Sequence, residues 1–324
     1  MSGMIDIGVV IPTRNRRARL LSLLGDLRGS TLQPREILVV DASDQPLPPD
    51  GLDPRVRVLG AAPSVCAQRN RGIREAQSPW IFLCDDDIQV PPDYLERLAA
   101  HIAVQPAAGA VSGLVLEQVG GRWIAQHQTT SATALLWCRV FQLGLWGEIH
   151  CHGLLGDLLA AHYRSRGNHI SSAGWPVVTD FSAPFFRTPI YGLGASLVRR
   201  DWLLQSPFDE RLDPRGYGDN YGVAIGFPAE GIHVVTSASV RHHKEPADRP
   251  PPAVAYSARI LALDLFLRTE RGRAWANRRR LAWSVVGNTL LHAATRNREM
   301  CWASLAALAA IVSRRNPYLA RAAT

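Results

Sequence analysis

A single lysine, Lys244, stands among the chain's 36 basic residues. All the others are arginine, a uniformity that reads more simply as a coding bias than as a phosphate-binding design. Cysteine is scarce too. Cys66, Cys84, Cys138, Cys151 and Cys301 are odd in number, widely spaced and without a C-x-x-C pair. That argues against a disulfide framework or zinc ribbon and for a reducing compartment. No apolar run reaches the ~18–20 residues that a bilayer span requires. The longest, Cys301 to Val312, is bounded by Glu299 and Arg314. No secretory leader pattern is visible, because Arg14, Arg16 and Arg17 follow the apolar stretch Ile5–Ile11 rather than precede it. These absences lead to the expectation of a cytoplasmic protein. Internal repeats and long low-complexity tracts are absent as well.

The 324 residues, 47% hydrophobic and 20% charged, suffice for one large α/β domain with an appendage. The net charge of +8 is unevenly spread. Residues 241–324 carry 15 Lys+Arg against 5 Asp+Glu, whereas residues 1–240 carry 21 against 23. A basic C-terminal quarter suits an anionic partner.

The first third alternates short apolar runs with helical spacing. Ile7–Ile11, Ile37–Val40, Val56–Leu59 and Trp80–Cys84 read as buried strands. Residues 16–27, with Leu20, Leu23, Leu24 and Leu27, and residues 66–76 read as helices. This β-α-β-β-α-β order, with polar residues at the strand ends, predicts a Rossmann-like nucleotide-binding sheet. A helix over 93–103 and strands over 110–116, 195–198 and 233–240 follow, with a short helix over 200–205. Residues 118–190 lack sustained periodicity and predict loops with one or two helices. Glu245–Pro252 is a Pro-rich linker, and three helical segments (253–271, 275–295, 299–313) complete the chain.

The most telling segment is Asp85-Asp86-Asp87, directly after the apolar run Trp80–Cys84. Like charges this close repel, so a fold keeps them together only with something to offset the cost. A divalent cation shared with a phosphate-bearing ligand does so. A solvated acidic turn before the helix announced by Pro91-Pro92-Asp93 is the blander alternative.

Six segments in order resemble the GT-A-fold, family 2 inverting glycosyltransferases. They are Val9–Arg16; Val39-Val40-Asp41-Ala42-Ser43; Ala67–Gly72; Phe82–Asp87, similar to the family's D-x-D segment; Gly194–Arg200; and Phe208–Leu212. His242 follows the last strand, as a family histidine often does. The resemblance covers residues 5–243. It implies a GT-A domain over 1–245, with a nucleotide-sugar-binding half over 1–117 and an acceptor-side half over 118–245. Residues 246–324 would form a linker and a basic helical subdomain.

The resemblance also implies roles. Asp41 would accept a hydrogen bond from a pyrimidine imide N–H; the alternative is a helix N-cap, for which Ser43 is an equally good capper. Pro12 and Thr13, with Arg14 beside them, would wall the nucleotide. Arg69 would reach ribose or phosphate oxygens, or else lie on a solvated helix face. Asp85 and Asp86 would bind ribose hydroxyls. Asp87, with Asp85 and His242, would hold Mg²⁺ or Mn²⁺ at the diphosphate. A strand-end histidine can also be purely structural, and His243 beside it blurs the assignment. The donor expected is a UDP- or dTDP-linked sugar; the acceptor is an unknown hydroxyl on a saccharide, lipid-linked saccharide or small molecule.

The departure from the family comes at the base. Where a helix-start carboxylate is expected, Gly216–Tyr221 places Asn220, and an amide takes no proton. Asp219 is the candidate in its stead, with Asp180 and Asp209 behind it. The alternatives are a catalytically impaired nucleotide-sugar-binding protein and a nucleotidyltransferase, the latter disfavoured because Pro12–Asn15 lacks glycines. Glu148-x-His150-x-His152 is incomplete as a metal cluster. His242–Pro246 reads equally as a linker or as a lid in which Lys244 or Arg241 closes on the diphosphate. The arginine-rich tail, with Trp275, Trp283 and Trp302, reads as packing helices or as a peripheral membrane contact at the inner face. No nucleic-acid-binding module is recognisable in it.

Overall fold

A computed structural model describes residues 5–190, 192, 194–228, 230–244, 250–268 and 275–321, with the backbone alone for Trp275 and Ala276. Most of the Pro-rich linker expected over 245–252, and the end of the helix expected to reach residue 271, lie outside the described residues.

The chain divides into two compact units. The first comprises Met1–Ala125, Ala183–Gly216 and Gly222–Pro246; the second comprises Gln126–Ser182, Tyr217–Tyr221 and Ala247–Thr324. The half expected over 118–245 is therefore divided between them.

The first unit opens β1 (Ile7–Thr13), α1 (Arg17–Arg28), β2 (Glu36–Asp41), β3 (Val56–Gly60), α2 (Val65–Glu75) and β4 (Trp80–Cys84). It continues with β5 (Ile88–Gln89), α3 (Tyr94–Val104), β6 (Ala110–Val119) and β7 (Arg122–Ile124). The second unit supplies α4 (Ala132–Phe141), β8 (Leu145–Trp146), α5 (Leu154–Arg166), β9 (His169–Ile170) and β10 (Pro176–Val178). Next in the chain are β11 (Phe185–Arg187), β12 (Ala195–Arg199), α6 (Arg200–Gln205), α7 (Asp219–Ile225) and β13 (Ile232–His242). The second unit ends with α8 (Pro252–Arg268), α9 (Trp275–Ala294) and α10 (Arg298–Val312). Every strand expected from the sequence forms, and residues 118–190 hold two helices together with short strands.

In the first unit the sheet runs β11-β13-β6-β12-β4-β1-β2-β3, with β5 on β13 and β7 on β6. β1 is parallel to both neighbours, β2 and β4. From β1 the chain crosses to β2 on one side and later returns to β4 on the other. That reversal opens a crevice at the carboxyl ends of β1 and β4, where such sheets bind ligands. Ile7, Val9 and Ile11 pack against Leu20, Leu23 and Leu27 of α1 in the main core. Val10 points to the opposite face.

There α2 comes close. A Cβ added to Gly72 would lie 2.4 Å from Val10 Cγ1 and 3.2 Å from Val40 Cγ2. Both valines are fully buried and branched, so neither yields easily. Glycine here sets how near α2, and hence Arg69, lies to the sheet.

In the second unit β8-β10-β9 form a small sheet. The α8–α10 core is built from Ile260, Leu263, Leu267, Leu281, Val285, Ala307 and Ile311. Asp264, fully buried on α8, receives Arg268 Nε at 2.9 Å and Arg278 Nε at 3.2 Å.

Gly72→Ala adds helix propensity worth ~1 kcal/mol but overpacks the contact with Val10, at a cost of ~1–3 kcal/mol. Urea unfolding is expected to show net destabilisation, relieved in part when Val10→Ala is added. A variant as stable as the parent, with no coupling to Val10, would contradict the close approach.

Candidate active site

The three carboxylates beyond β4 are held by three different cations. Asp85 Oδ1 accepts from Arg69 Nη2 at 2.8 Å, and its backbone N–H donates to Gly194 O at 3.0 Å. Asp86 Oδ2 accepts from the Thr13 hydroxyl at 2.8 Å, and its Oδ1 from Arg16 Nη1 at 3.0 Å. Asp87 Oδ1 lies 3.2 Å from His242 Nε2, and its Oδ2 lies 3.5 Å from Arg16 Nη1. Asp86 and Asp87 are buried. The solvated-turn alternative is therefore not what the structure contains.

Local pairing explains how these groups meet. Two residues after Asp86, Ile88 in β5 pairs with His242 in β13, and His243 N–H donates to the Asp87 carbonyl at 2.9 Å. His242 is the last residue of β13 rather than a residue beyond it. β13 also lies in register with β6, placing Glu117 opposite His242. The Glu117 carboxylate faces His242 Nδ1 at 3.8 Å and pairs with Lys244. From β1, Asn15 adopts a left-handed φ of 55°, and the turn brings Arg16 to the carboxylates.

The electrostatics follow from burial and charge. Burial pushes the Asp86 carboxyl up to about 6, against the opposing pull of Arg16 and Thr13. Burial disfavours charge on His242, yet the Asp87 and Glu117 carboxylates prevail and hold its imidazole up at about 9. Glu117 is drawn down to about 2 by its hydrogen bond to His242 foremost, then by Lys244.

Asp41 is buried at the end of β2, and its two oxygens accept the Ser43 and Leu47 N–H groups, each at 2.8 Å. It thus organises the loop after β2 rather than capping a helix. An ionised carboxylate has about four acceptor sites, so one more hydrogen bond can be added. Arg69 is buried, not on a solvated face; it lies over the Phe208 ring at 5.2 Å and positions Asp85. Pro12 and Thr13 form the buried end of β1. Arg14 points elsewhere: its guanidinium is half exposed and lies 3.9 Å from exposed Asp44. Arg16 takes the place at the carboxylates. Glu117 and Arg16 are the two site residues that sequence reasoning did not single out. Asn15, a residue tolerant of left-handed backbone, is the one available signal for Arg16; Glu117 shows itself only through the β6–β13 register.

Lys244 pairs with Glu117, and Arg241 lies over Trp123 at 5.5 Å. The lid expected to start there continues into residues outside those described. Asp180 organises a turn by accepting Ser182 N–H and hydroxyl, and Asp209 pairs with Arg211 at 2.6 Å.

Among the described residues no three His, Cys, Asp or Glu side chains form a closed metal cage. Carboxylate and imidazole donors do meet at Asp87 and His242, with Glu117 behind the other ring nitrogen, the arrangement that orients a metal-binding histidine. A magnesium-type ion shared with substrate phosphates needs only one or two protein carboxylates. The donor set therefore fits Mg²⁺ or Mn²⁺.

In the second unit, buried Asp219 opens α7 and accepts the Asn220 N–H at 2.8 Å. Gly218 precedes it with a φ of +90°, where a Cβ would come 2.7 Å from Ala262 Cβ. Gly218 and Asn220, on either side of Asp219, line a cavity of about 740 Å³. Its walls include Trp146, Trp175, Tyr221 and Tyr256, and Arg259 is the one charged residue among the described lining.

Residues 8–190 match the family described as glycosyl transferase family 2. The uncharacterized glycosyltransferase YwdF of Bacillus subtilis (strain 168) is 37% identical over 103 residues, which is 30% of this chain and 38% of that protein. The chain thus spans well under half the length of this curated relative. Staphylococcus aureus TarS 1–349 in complex with UDP-GlcNAc superposes with a TM-score of 0.53 at 14% identity, covering 95% of this chain and 82% of that one. The mannosyltransferase PcManGT from Pyrobaculum calidifontis, in complex with GDP-Man and Mn²⁺, gives 0.51 at 14%, covering 94% and 86%. The architecture is the expected GT-A fold.

Arg16→Gln leaves two buried carboxylates short of a cation and is expected to destabilise the protein by ~2 kcal/mol, less than a fully buried pair because the guanidinium retains some solvent. In a double-mutant cycle with Asp86→Asn, measured by chemical denaturation, the two losses should couple by ~1 kcal/mol or more. Strict additivity would show that Arg16 acts elsewhere.

Proposed function

The chain belongs to glycosyltransferase family 2, and from that premise we propose that it moves a sugar from a UDP- or dTDP-linked donor to an acceptor hydroxyl, with inversion and with Mg²⁺ or Mn²⁺. The observation that carries this reading is the trio Asp85, Asp86 and Asp87 at the crevice beside β1, each engaged by a cation from another segment. That the UDP-GlcNAc and GDP-Man complexes named above share the fold supports a nucleotide-sugar donor.

In this reading Asp41, already fixed by two backbone N–H groups, offers its remaining lone pairs to an imide N–H of the donor base. Pro12 and Thr13 flank that base. Asp85 and Asp86 accept ribose hydroxyls, and Arg69 keeps Asp85 in place. Asp87 and His242, with Asp85 beside them, would hold the metal, which when bound neutralises charge on the departing diphosphate. His242 must give up its proton to serve as a ligand, and Glu117 keeps the ring oriented.

The acceptor side is read on the aromatic cavity beside α7. Rings of its kind pack against apolar ligand faces while amides take hydroxyls. Asp219 is the base that removes the acceptor proton as the new bond forms, and inverting displacement needs such a group near the nucleophile. Asn220 supports the second reading, a nucleotide-sugar-binding protein without transfer activity. Family membership leaves the nucleotidyltransferase alternative without support.

A thermal-shift panel of UDP, dTDP, GDP and their sugars, each with Mn²⁺ or with EDTA, tests the donor. A uridine or thymidine nucleotide should raise the melting point only with metal, since a ligand at ~100 Kd adds ~2.7 kcal/mol. Asp87→Ala should abolish the shift. Asp219→Ala should keep it while losing donor turnover. A shift without turnover in the wild type would favour the binding-protein reading, and no shift with any nucleotide would refute both.

A further inference from the structure

Helix α10 is apolar on its outer side as well as on the side that packs into the core. Its inward residues are Ser304, Ala307 and Ile311, packed with α8 and α9. Ser304 is fully buried, and its hydroxyl donates to Tyr256 Oη at 3.1 Å. The outward face holds Trp302, 71% exposed, Leu305, 39% exposed, and Val312, 70% exposed, with Ala306 and Ala309 between them. At 3.6 residues per turn these five positions span an arc of about 120°. A continuous apolar stripe of that kind on a surface helix calls for a partner.

The ends of the stripe say which partner. Arg298 sits at its head on the same face, and Arg314 and Arg315 follow its tail, all three exposed. From residue 296 to 321 there are five arginines and one glutamate. A second copy is the poorer occupant: pairing α10 with itself, in either direction, sets arginine against arginine at both ends, with Glu299 the single acidic residue to offset them. An anionic bilayer surface satisfies the apolar stripe and both charged ends together. Tryptophan and leucine enter the headgroup boundary while arginines remain at its phosphates. No helix among the described residues is long and apolar enough to cross a membrane, so the contact is a surface one.

The three tail tryptophans are not equivalent here. Trp283 is committed to the second unit: its Nε1 donates to Val140 O at 2.8 Å and its ring stacks on Phe141. The side chain of Trp275 is outside the described residues. Trp302 makes no hydrogen bond or ring contact among the described residues; it is 71% exposed and opens the stripe.

We propose that the outer face of α10 docks the protein on an anionic membrane surface, with Trp302 and Val312 inserted and Arg298, Arg314 and Arg315 at the headgroups. The inference stands apart from the transferase reading and needs no sugar nucleotide.

Co-sedimentation of the full chain with vesicles tests it. Vesicles of phosphatidylcholine with about 30% phosphatidylglycerol should bind the protein about tenfold more tightly than phosphatidylcholine alone, less so as salt rises. Trp302→Glu/Val312→Glu should lose about tenfold or more of that binding with an unchanged melting temperature, both side chains being exposed. Arg314→Glu/Arg315→Glu should weaken binding and flatten its salt dependence. No binding to the anionic vesicles, or equal binding by the Trp302/Val312 variant, overturns the proposal. So does a wild-type dimer in light scattering that becomes monomeric in that variant, which would make a second copy the occupant.

Discussion

The site depends on the cost of keeping three consecutive carboxylates together in a largely buried place. Water would relieve their repulsion, but Asp86 and Asp87 have little access to it. The protein relieves it with cations drawn from separate segments: Arg69 from α2, Arg16 from the turn after β1, and His242 from the end of β13. Each pairing pins one element to the crevice. Neutralising the acidic segment and assembling the site are thus a single event. Burial nonetheless raises the Asp86 carboxyl to about 6, against the pull of Arg16 and Thr13.

Backbone proximity makes these pairings short. Gly194 leaves room for Asp85, because a Cβ there would lie 2.5 Å from Asp85 Oδ2. Gly113 does the same for the irregularity in β13, since a Cβ would fall 2.5 Å from the Ala238 carbonyl. The register of β13 against β6 shifts between Val235 and Ser239. The shift sets the final stretch of β13, with His242, opposite Glu117. Set between two carboxylates, the His242 ring is held in place from both its nitrogens. The cations that hold the carboxylates apart thereby preserve the geometry a diphosphate and its metal would meet.

Much of this was legible in the sequence, and the reasons are specific. Strands buried on both faces show as unbroken apolar runs, so β1, β2 and β4 could be read to within a residue or two. The carboxylate trio was legible because nothing but a site or a solvated turn explains it. Arg14 and Arg16 could not be told apart, because their directions are set by the left-handed turn at Asn15. Glu117 depends on strand register, which no local pattern encodes. The bonds from Asp41 to Ser43 and Leu47 belong to a loop without periodicity. Residues 126–182 pack with helices more than a hundred positions away, a non-local preference invisible to composition. The outward stripe of α10 stayed open between a packing helix and a membrane contact. An apolar helix of small residues does not show its buried side until the structure shows which side the serine takes.

The start of α7 is where resemblance and chemistry part. A family pattern puts the proton acceptor at one position, and this chain has an amide there. Yet the chemistry asks for two functions at that place: one group to receive a proton, and one to hold the hydroxyl that loses it. An aspartate followed by an asparagine supplies both, in reversed order. The backbone allows the exchange because Gly218, at a φ of +90°, sets Asp219 at the helix start against α8, where a side chain on residue 218 would collide with Ala262. The Asn220 side chain then lines the aromatic cavity, while its N–H goes to Asp219. In the proposed transfer, Asp219 would receive the proton and Asn220 would hold the hydroxyl that loses it. On the proposed reading, the base would sit one residue before the aligned position, at Asp219, with Asn220 beside it at the cavity wall.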